Sequence, residues 1–317
     1  MKSAQYYAQT MKLPITEMML LMVAVVWGTS YGLTKEALVF TGVFTFIALR
    51  FGATFLLLLP HLIKASKEGF NTDWKRVVPT GFILLAIFIC EVAGIALTSA
   101  TNAAILISLS MVMTALVESL TSKKWVSKPL IIASVTSVFG VFLLASESLD
   151  TLTPHSDLDF LHLNSGDYFI LGAALLRAIM VTATKYLTQD KRITSLSMTA
   201  IQSAIVSLGG VLCAIVLDGK AFANLTAEQM SFVLPISSYF WAITAYLILF
   251  ATLFAFFAQN YAVRSLSSTK VALLMGSEPL FGALFAAMWL GESLTVVQMF
   301  GAVIIIMSVL YVSIKDD

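Results

Sequence analysis

The sequence has 317 residues, of which 59% are hydrophobic and 12% are charged, and its formal net charge is +1. Soluble domains carry about 25% charged residues, so this chain lacks the polar surface that water requires and is predicted to reside largely in lipid. A net charge near zero without a concentrated basic face argues against a nucleic-acid partner. The two cysteines and three histidines are scattered, so we expect no metal site and no cofactor.

Ten apolar segments follow one another along the chain, each long enough for a membrane-spanning helix of about 20 residues. Their apolar residues are continuous rather than alternating, which favours helices over strands. The first segment follows Lys2 and Lys12, as a signal peptide would, but no cleavage site follows it, and we expect it to be retained. The predicted spans are 15–35, 42–63, 77–97, 102–121, 129–146, 167–187, 195–217, 239–261, 269–290 and 295–314.

The lysines and arginines between these spans indicate how the helices are oriented. With a cytoplasmic N-terminus, the inside segments hold 15 of these residues, whereas the outside loops hold 2, Lys35 and Lys220. Membrane proteins concentrate Lys and Arg in their cytoplasmic loops. The sequence therefore predicts ten spans with both termini in the cytoplasm.

An acidic segment, 147–166, separates the first five spans from the last five and is predicted to lie outside. It contains no Lys or Arg. We interpret it as a solvated linker, and a calcium or zinc site built from its carboxylates and histidines is the alternative.

The linker divides the chain into two halves, 1–146 and 167–317, that match in hydropathy span by span. A repeated five-helix unit must enter the membrane in opposite orientations, and such inverted repeats are typical of secondary transporters. The predicted fold is therefore an all-α integral membrane protein with ten transmembrane helices in two inverted five-helix repeats. In the alignment of the halves, Lys35 falls on Lys185 and Ser110 falls on Pro279.

Three motifs resemble those of the EamA family, within the drug/metabolite transporter superfamily. They are Trp-Gly-Thr-Ser-Tyr at 27–31, Ala-Leu-Arg-Phe at 48–51, and Glu-Pro-Leu at 278–280 followed by Leu-Gly-Glu-Ser-Leu-Thr at 290–295. The chain departs from the family at Ser110, where a proline is usual, and at Arg177, where an aromatic residue is common. The resemblance implies export of a small metabolite, such as an amino acid or a related compound, driven by a proton or by exchange. It also implies a bacterial inner membrane and leaves the oligomeric state open.

Four charged residues are predicted at membrane depth: Arg50, Glu91, Arg177 and Glu278. A charge there costs at least about 2.5–3.5 kcal/mol, so each should face a partner or an aqueous cavity. Pro279 removes a backbone hydrogen bond beside Glu278 and is expected to bend the helix, which favours a substrate or coupling site. The alternative for Glu278 is a structural ion pair with Arg50 or Arg177.

The other candidate site residues are chosen by chemistry and by position. The guanidinium of Arg177 suits an anionic substrate group, and Glu91 could exchange a proton, although an ion pair between them is equally consistent with the sequence. Trp27 and Tyr31 share one face of the first helix. The predicted substrate-binding residues are Trp27, Tyr31, Glu91, Arg177, Asn260 and Glu278, with Arg50 and Pro279 in structural or coupling roles.

Other residues of the predicted helices have a structural interpretation. Glu17, Glu118 and Lys185 lie near helix ends, where their side chains could reach the membrane surface. Gly28 and Gly32 form a small-xxx-small pair that permits close helix contact.

Three other functions are alternatives to metabolite transport. An intramembrane enzyme would need a catalytic constellation, and the sequence has no H-E-x-x-H motif, nucleophile elbow or P-loop, so no catalytic residue is predicted. A lipid flippase would differ from a metabolite transporter in its cargo. A channel is disfavoured because no filter-like repeat occurs.

Overall fold

The computed structural model describes residues 15–98, 103, 106–150, 164–216, 235–289 and 295–314. These residues form α-helices joined by short turns, and no strand occurs among them. The prediction of an all-helical chain is confirmed for this part of the protein. The helices are α1 (Ile15–Ala37), α2 (Val43–Lys67), α3 (Val78–Leu97), α4 (Ser110–Ser122), α5 (Lys128–Asp150), α6 (Ser165–Thr188), α7 (Ser195–Val216), α8 (Ser238–Ala262), α9 (Ser268–Met275), α10 (Glu278–Trp289) and α11 (Val296–Ile314).

These segments are helical because an apolar backbone in lipid must satisfy its own hydrogen bonds, and a helix does so within a single segment. Six helices, α1, α2, α3, α6, α7 and α8, are long and apolar enough to cross a membrane. Shorter apolar helices cover Leu106–Ser122, Lys128–Leu143 and Val296–Tyr311. Many large apolar side chains point outwards, Leu56, Ile215 and Phe300 among them, as lipid-facing residues do.

Two predicted spans are interrupted rather than continuous. The span predicted at 269–290 stops at Met275 and resumes at Glu278, with a turn at Gly276 and Ser277 between α9 and α10. The span predicted at 102–121 has a turn at Leu109, between helical residues 106–108 and the start of α4. Hydropathy did not predict either interruption, because the residues in both turns are as apolar or small as those around them.

Helix α8 contains a wider π-helical segment, Leu247–Phe254, between two α-helical parts. In a π-helix the hydrogen bonds connect residues five apart, and such segments often occur at functional sites. The hydroxyl of Thr252 bonds back to the carbonyl of Leu247 at 2.9 Å.

The helices pack around a core formed by α1, α3, α6 and α8. Helix α1 packs against α8, α9 and α10, while α6 packs against α3 and α4. Helices α2 and α7 form one close pair, and α5 and α11 form another. Phe51, Phe88 and Phe256 meet in the core, with ring centroids 4.4–6.2 Å apart.

Candidate functional site

The side chain of Arg177, on α6, lies between two carboxylates from different helices. Its Nη1 donates to Glu278 Oε1 of α10 at 3.0 Å, and its Nη2 donates to Glu91 Oε2 of α3 at 3.0 Å. The Glu278 side chain is fully buried, and those of Arg177 and Glu91 are 12% and 11% exposed. Hydrogen bonds between charged partners are strong in such surroundings, which offsets much of the cost of burying the charges.

Two aromatic residues of α1 complete the surroundings of this arginine. The Tyr31 hydroxyl donates to Glu278 Oε1 at 3.0 Å. The indole ring of Trp27 lies against the guanidinium, with the Arg177 Cζ 4.6 Å from the ring centroid. A cation over the face of a tryptophan is attracted by the ring quadrupole, most strongly where water is excluded. We call Trp27, Tyr31, Glu91, Arg177 and Glu278 the Arg177 cluster.

The π-helical segment of α8 holds Trp27 in place. Its Nε1–H donates to the carbonyl of Ala251 at 2.9 Å. Arg50 reaches the same segment, because its Nη2 donates to the Ala251 carbonyl at 3.2 Å and its Nε donates to Thr252 Oγ1 at 2.6 Å. The Arg50 guanidinium also lies 5.3 Å from the ring centroid of Phe88. Arg50 therefore braces α2 against α8 and supports Trp27, and it makes no ion pair with a described carboxylate.

The interruption between α9 and α10 places Glu278 at the beginning of a helix. Glu278 is the first residue of α10 and Pro279 is the second, a position in the first helical turn where a missing N–H costs little. The predicted span 269–290 places Glu278 near the middle of a helix that bends at Pro279, and this expectation is wrong. At a helix N-terminus, the partial positive charge of the helix dipole stabilises a carboxylate.

Close packing of glycines brings α1 against this helix start. A Cβ added at Gly28 would lie 2.5 Å from the carbonyl oxygen of Glu278 and 2.8 Å from the nitrogen of Gly282. Gly32, one turn further along α1, has no atom of the described residues within 4 Å of the same position. Of the predicted glycine pair, Gly28 makes the close helix contact and Gly32 does not.

Asn260 belongs to a different polar network. Its Nδ2 donates to Thr199 Oγ1 at 3.0 Å and to Gln202 Oε1 at 2.8 Å, and Gln202 Nε2 donates to Thr80 Oγ1 at 2.9 Å. These contacts join α8, α7 and α3, and they include no member of the Arg177 cluster. The structure therefore brings five of the six predicted substrate-binding residues together and leaves Asn260 outside.

A small cavity lies beside the Arg177 cluster. The cavity there has a volume of about 10 Å³ and is bounded by residues of α4, α6 and α9 with Gly276. This is room for about one water molecule. Glu278 Oε2 is buried and has no hydrogen-bond partner among the residues that the structure describes.

One end of the central helices is closed by partly buried polar contacts. The Glu118 carboxylate, on α4, accepts from the backbone N–H groups of Ser268 and Thr269 at 2.9 and 2.8 Å, and so caps α9. The Lys185 ammonium lies 3.8 Å from Glu118, and Lys270 of α9 pairs with Glu17 of α1 at 3.2 Å. These contacts tie together α1, α4, α6 and α9.

The opposite end is closed by a second set of contacts. The Lys35 ammonium, on α1, donates to the carbonyl of Thr98 at the end of α3, at 2.8 Å. The Thr98 hydroxyl donates in turn to Asp167, at the start of α6, at 2.7 Å. Both ends are held together by these contacts, and the Arg177 cluster between them is largely buried, with the Arg177 and Glu91 side chains 12% and 11% exposed.

Sequence reasoning missed the partners of the charges near helix ends. Glu17, Glu118 and Lys185 were expected to reach the membrane surface, and instead each makes a polar contact inside the helix bundle. Lys270 is likewise buried. Opposite charges near the ends of different apolar spans were the available signal, but the sequence does not indicate which of them meet.

Comparison with known proteins defines the family of the chain. The model of the EamA-like transporter family matches residues 14–146 and again residues 164–314. The chain belongs to the EamA-like transporter family. Membership of the drug/metabolite transporter superfamily follows, and the predicted family is confirmed. All five residues of the Arg177 cluster lie within the matched residues. Trp27, Tyr31 and Glu91 belong to the first match, and Arg177 and Glu278 belong to the second.

This EamA-family chain is also similar to an individual protein and to a solved structure. A protein of Archaeoglobus fulgidus, described as an uncharacterized transporter, is 25% identical over 308 residues, which cover 97% of this chain and 89% of that protein. A crystal structure with 12% sequence identity matches the fold with a TM-score of 0.72 and covers 93% of this chain and 95% of the other. The EamA-family chain is therefore a multi-pass membrane protein that transports a small molecule.

Proposed function

We propose that this protein is a secondary transporter that exports a small metabolite, such as an amino acid or a related compound, by alternating access. In this proposal its ten spans form two inverted five-helix repeats, 1–146 and 167–317, joined by the extracytoplasmic linker 147–166. The protein lies in the inner membrane, as the family resemblance implies. Both termini lie in the cytoplasm, as the 15 Lys and Arg inside and 2 outside indicate.

The pattern of helix packing supports the inverted repeat. If each span of the first half corresponds to the span five later, α2 and α7 correspond to each other, as do α5 and α11, and each of these pairs is in contact. The contact of α3 with α6 corresponds to that of α8 with α1. The contact of α4 with α6 likewise corresponds to that of α9 and α10 with α1. Two copies of one fold related by a twofold axis would produce such a pattern.

The interrupted helices support the same correspondence. The turn at Leu109 precedes Ser110, and the turn at Gly276 and Ser277 precedes Glu278 and Pro279. In the alignment of the halves, Ser110 falls on Pro279. An interruption at the corresponding place in both halves is typical of a transporter site, where exposed backbone and helix ends face the substrate.

The observation that carries the proposal is the position of Arg177 between Glu91 and Glu278, where helices of both halves meet. A guanidinium that bonds two carboxylates can exchange one of them for the carboxylate of a substrate. The carboxylate released by this exchange could then hold an ammonium group or a proton. A compound with both groups, such as an amino acid, complements this cluster best.

The small volume of the cavity beside Arg177 fits an alternating-access cycle. A substrate cannot enter the buried cluster, so one end must open first and the substrate must then displace a carboxylate from the arginine. Opening the end at Glu118 and opening the end at Lys35 would give the two access states. Coupling to a proton or to a second substrate would take place at the released carboxylate.

Transport by the purified protein in proteoliposomes tests the proposal. Labelled amino acids should show saturable flux that depends on an imposed gradient. Glu278→Gln keeps the shape of the side chain and removes its charge, so flux should fall about tenfold or more, because a charge-assisted hydrogen bond contributes about 1.5–3 kcal/mol. Glu68→Gln, at an exposed position, should transport like the wild type.

The melting temperature separates a transport role from a structural one. A wild-type melting temperature with reduced flux supports participation in transport. A large loss of stability would identify the Arg177–Glu278 pair as structural, since an unpaired buried arginine is costly. Full transport by a stable Glu278→Gln protein contradicts both roles.

A further inference from the structure

A second cavity lies away from the Arg177 cluster, at the end of the bundle where α2 and α8 finish and α7 begins. Its volume is about 430 Å³. The walls come from three helices and from the turn after α8. The lining residues are His61, Thr194, Ser195, Leu196, Phe257, Tyr261, Arg264 and Ser265.

The polar wall of this cavity is electropositive. Arg264 donates through Nη1 to the carbonyl of Ile193 at 2.6 Å and through Nη2 to that of Lys191 at 2.9 Å. These carbonyls fix the guanidinium without neutralising it, and Arg264 has no ion pair with a carboxylate in the described part of the chain. A guanidinium has five N–H groups, so three remain for a ligand.

Other polar side chains line the same wall. The His61 Nε2 lies 3.1 Å from Thr194 Oγ1, which ties α2 to the turn before α7. Ser265 is exposed at the cavity, and its hydroxyl donates to the carbonyl of Ala262 in its own turn at 3.2 Å. The hydroxyl protons of Thr194 and Ser265 are used inside the protein, so the remaining N–H groups of Arg264, beside the His61 ring, are the donors for phosphate oxygens.

The opposite wall is apolar and faces the membrane. It is formed by Leu196, Phe257 and the ring of Tyr261, which is 48% exposed. A free anion would make no favourable contact with an apolar wall, whereas the acyl chains of a phospholipid would pack against it. The positive-inside pattern puts this end of the bundle at the cytoplasmic leaflet, where basic pockets between helices bind anionic headgroups.

We infer that this cavity binds an anionic phospholipid, with its phosphate on Arg264 and His61 and its acyl chains along Phe257 and Tyr261. The inference does not depend on which substrate the protein transports. The occupant stabilises the packing of α2, α7 and α8, because a ligand of the folded state shifts the unfolding equilibrium by mass action.

Thermal unfolding of the full chain in a neutral detergent tests the inference with three probes. Phosphatidylglycerol should raise the melting temperature by about 3 °C or more. Phosphatidylcholine and inorganic phosphate should each leave it unchanged. An equal rise with inorganic phosphate would assign the cavity to free anions, and an equal rise with phosphatidylcholine would exclude recognition of an anionic headgroup. Either result, or no response to any probe, overturns the proposal.

Ser265→Glu locates the binding site. This change places a carboxylate in the cavity beside Arg264 and should abolish the response to phosphatidylglycerol. Ser265→Gln has the same size without the charge and should retain the response, and Ser127→Glu adds a charge at an exposed position that does not line the cavity and should also retain it. A full response in Ser265→Glu contradicts the assignment. If that variant does not fold, His61→Glu introduces the charge into the same polar wall from α2.

Discussion

At the scale of single residues, the Arg177 guanidinium makes favourable contacts on three sides. It bonds one carboxylate through each terminal nitrogen and rests its face on an indole ring. The charges of the surrounding helices are balanced, since Arg50 and Arg177 accompany Glu91 and Glu278. Burial of any one of these charges alone would be unfavourable, and their proximity makes the group stable as a whole.

Arg177→Gln should therefore be strongly destabilising, by about 3–5 kcal/mol, because it leaves two buried carboxylates without their cation. Removing one of those carboxylates as well, in Arg177→Gln/Glu278→Gln, should restore part of the loss. Chemical or thermal unfolding in detergent measures both. Arg76→Gln is the control, since Arg76 is half-exposed and its distance to Asp73 is 3.6 Å; it should change stability by less than about 1 kcal/mol. An Arg177→Gln protein as stable as the wild type would show that the cluster does not hold the helices together.

At the scale of helices, the contact of α1 with α10 decides the geometry of the cluster. Gly28 allows the two backbones to meet, and Trp27 and Tyr31 then flank the start of α10, where Glu278 lies. Trp27 and Gly28 thus have different roles. Gly28 sets the distance between α1 and α10, and Trp27 supports the guanidinium of Arg177. Substitution of Gly28 should therefore alter the Arg177 cluster by moving α1 away from α10.

Two glycines on α1 give a matched test of this contact. Gly28→Ala should destabilise the protein by about 1–3 kcal/mol and reduce transport, because the added methyl group would overlap backbone atoms of α10 that cannot move aside independently. Gly32→Ala is the same substitution one turn along, with open space around it, and should be neutral or stabilise the helix by up to about 1 kcal/mol. Melting temperatures and flux of both variants provide the measurement. Equal effects of the two substitutions would refute a specific role for Gly28.

At the scale of the whole molecule, charge and packing give complementary information. The distribution of Lys and Arg predicts which ends of the helices face the cytoplasm. The packing shows that Glu17, Glu118 and Lys270 gather at one end of the central helices, and that Lys35, Thr98 and Asp167 gather at the other. In the proposed topology, the first group closes the cytoplasmic side and the second closes the outside.

Cysteine labelling tests this orientation. In a variant without Cys90 and Cys213, a cysteine at Ser156, in the linker outside the described residues, should react with a membrane-impermeant maleimide added to intact cells. A cysteine at Ser127, between α4 and α5, should react after the membrane is opened. The reverse pattern would invert the topology, and reaction of both positions in intact cells would contradict the assignment of spans.

The sequence by itself determined the helical class, the approximate bounds of the helices, the family and most of the residues that meet at the site. Hydropathy is a local property of each segment, and a charge in an apolar span is visible wherever it occurs. The tertiary structure alone decided that Arg177 bonds both Glu91 and Glu278, which are 86 and 101 residues away, while Asn260 joins another network. It also decided that Glu278 begins a helix and that Gly28 rather than Gly32 meets a neighbour. These outcomes depend on which faces of distant helices come into contact, and that choice is made by packing of the whole bundle rather than by any single span.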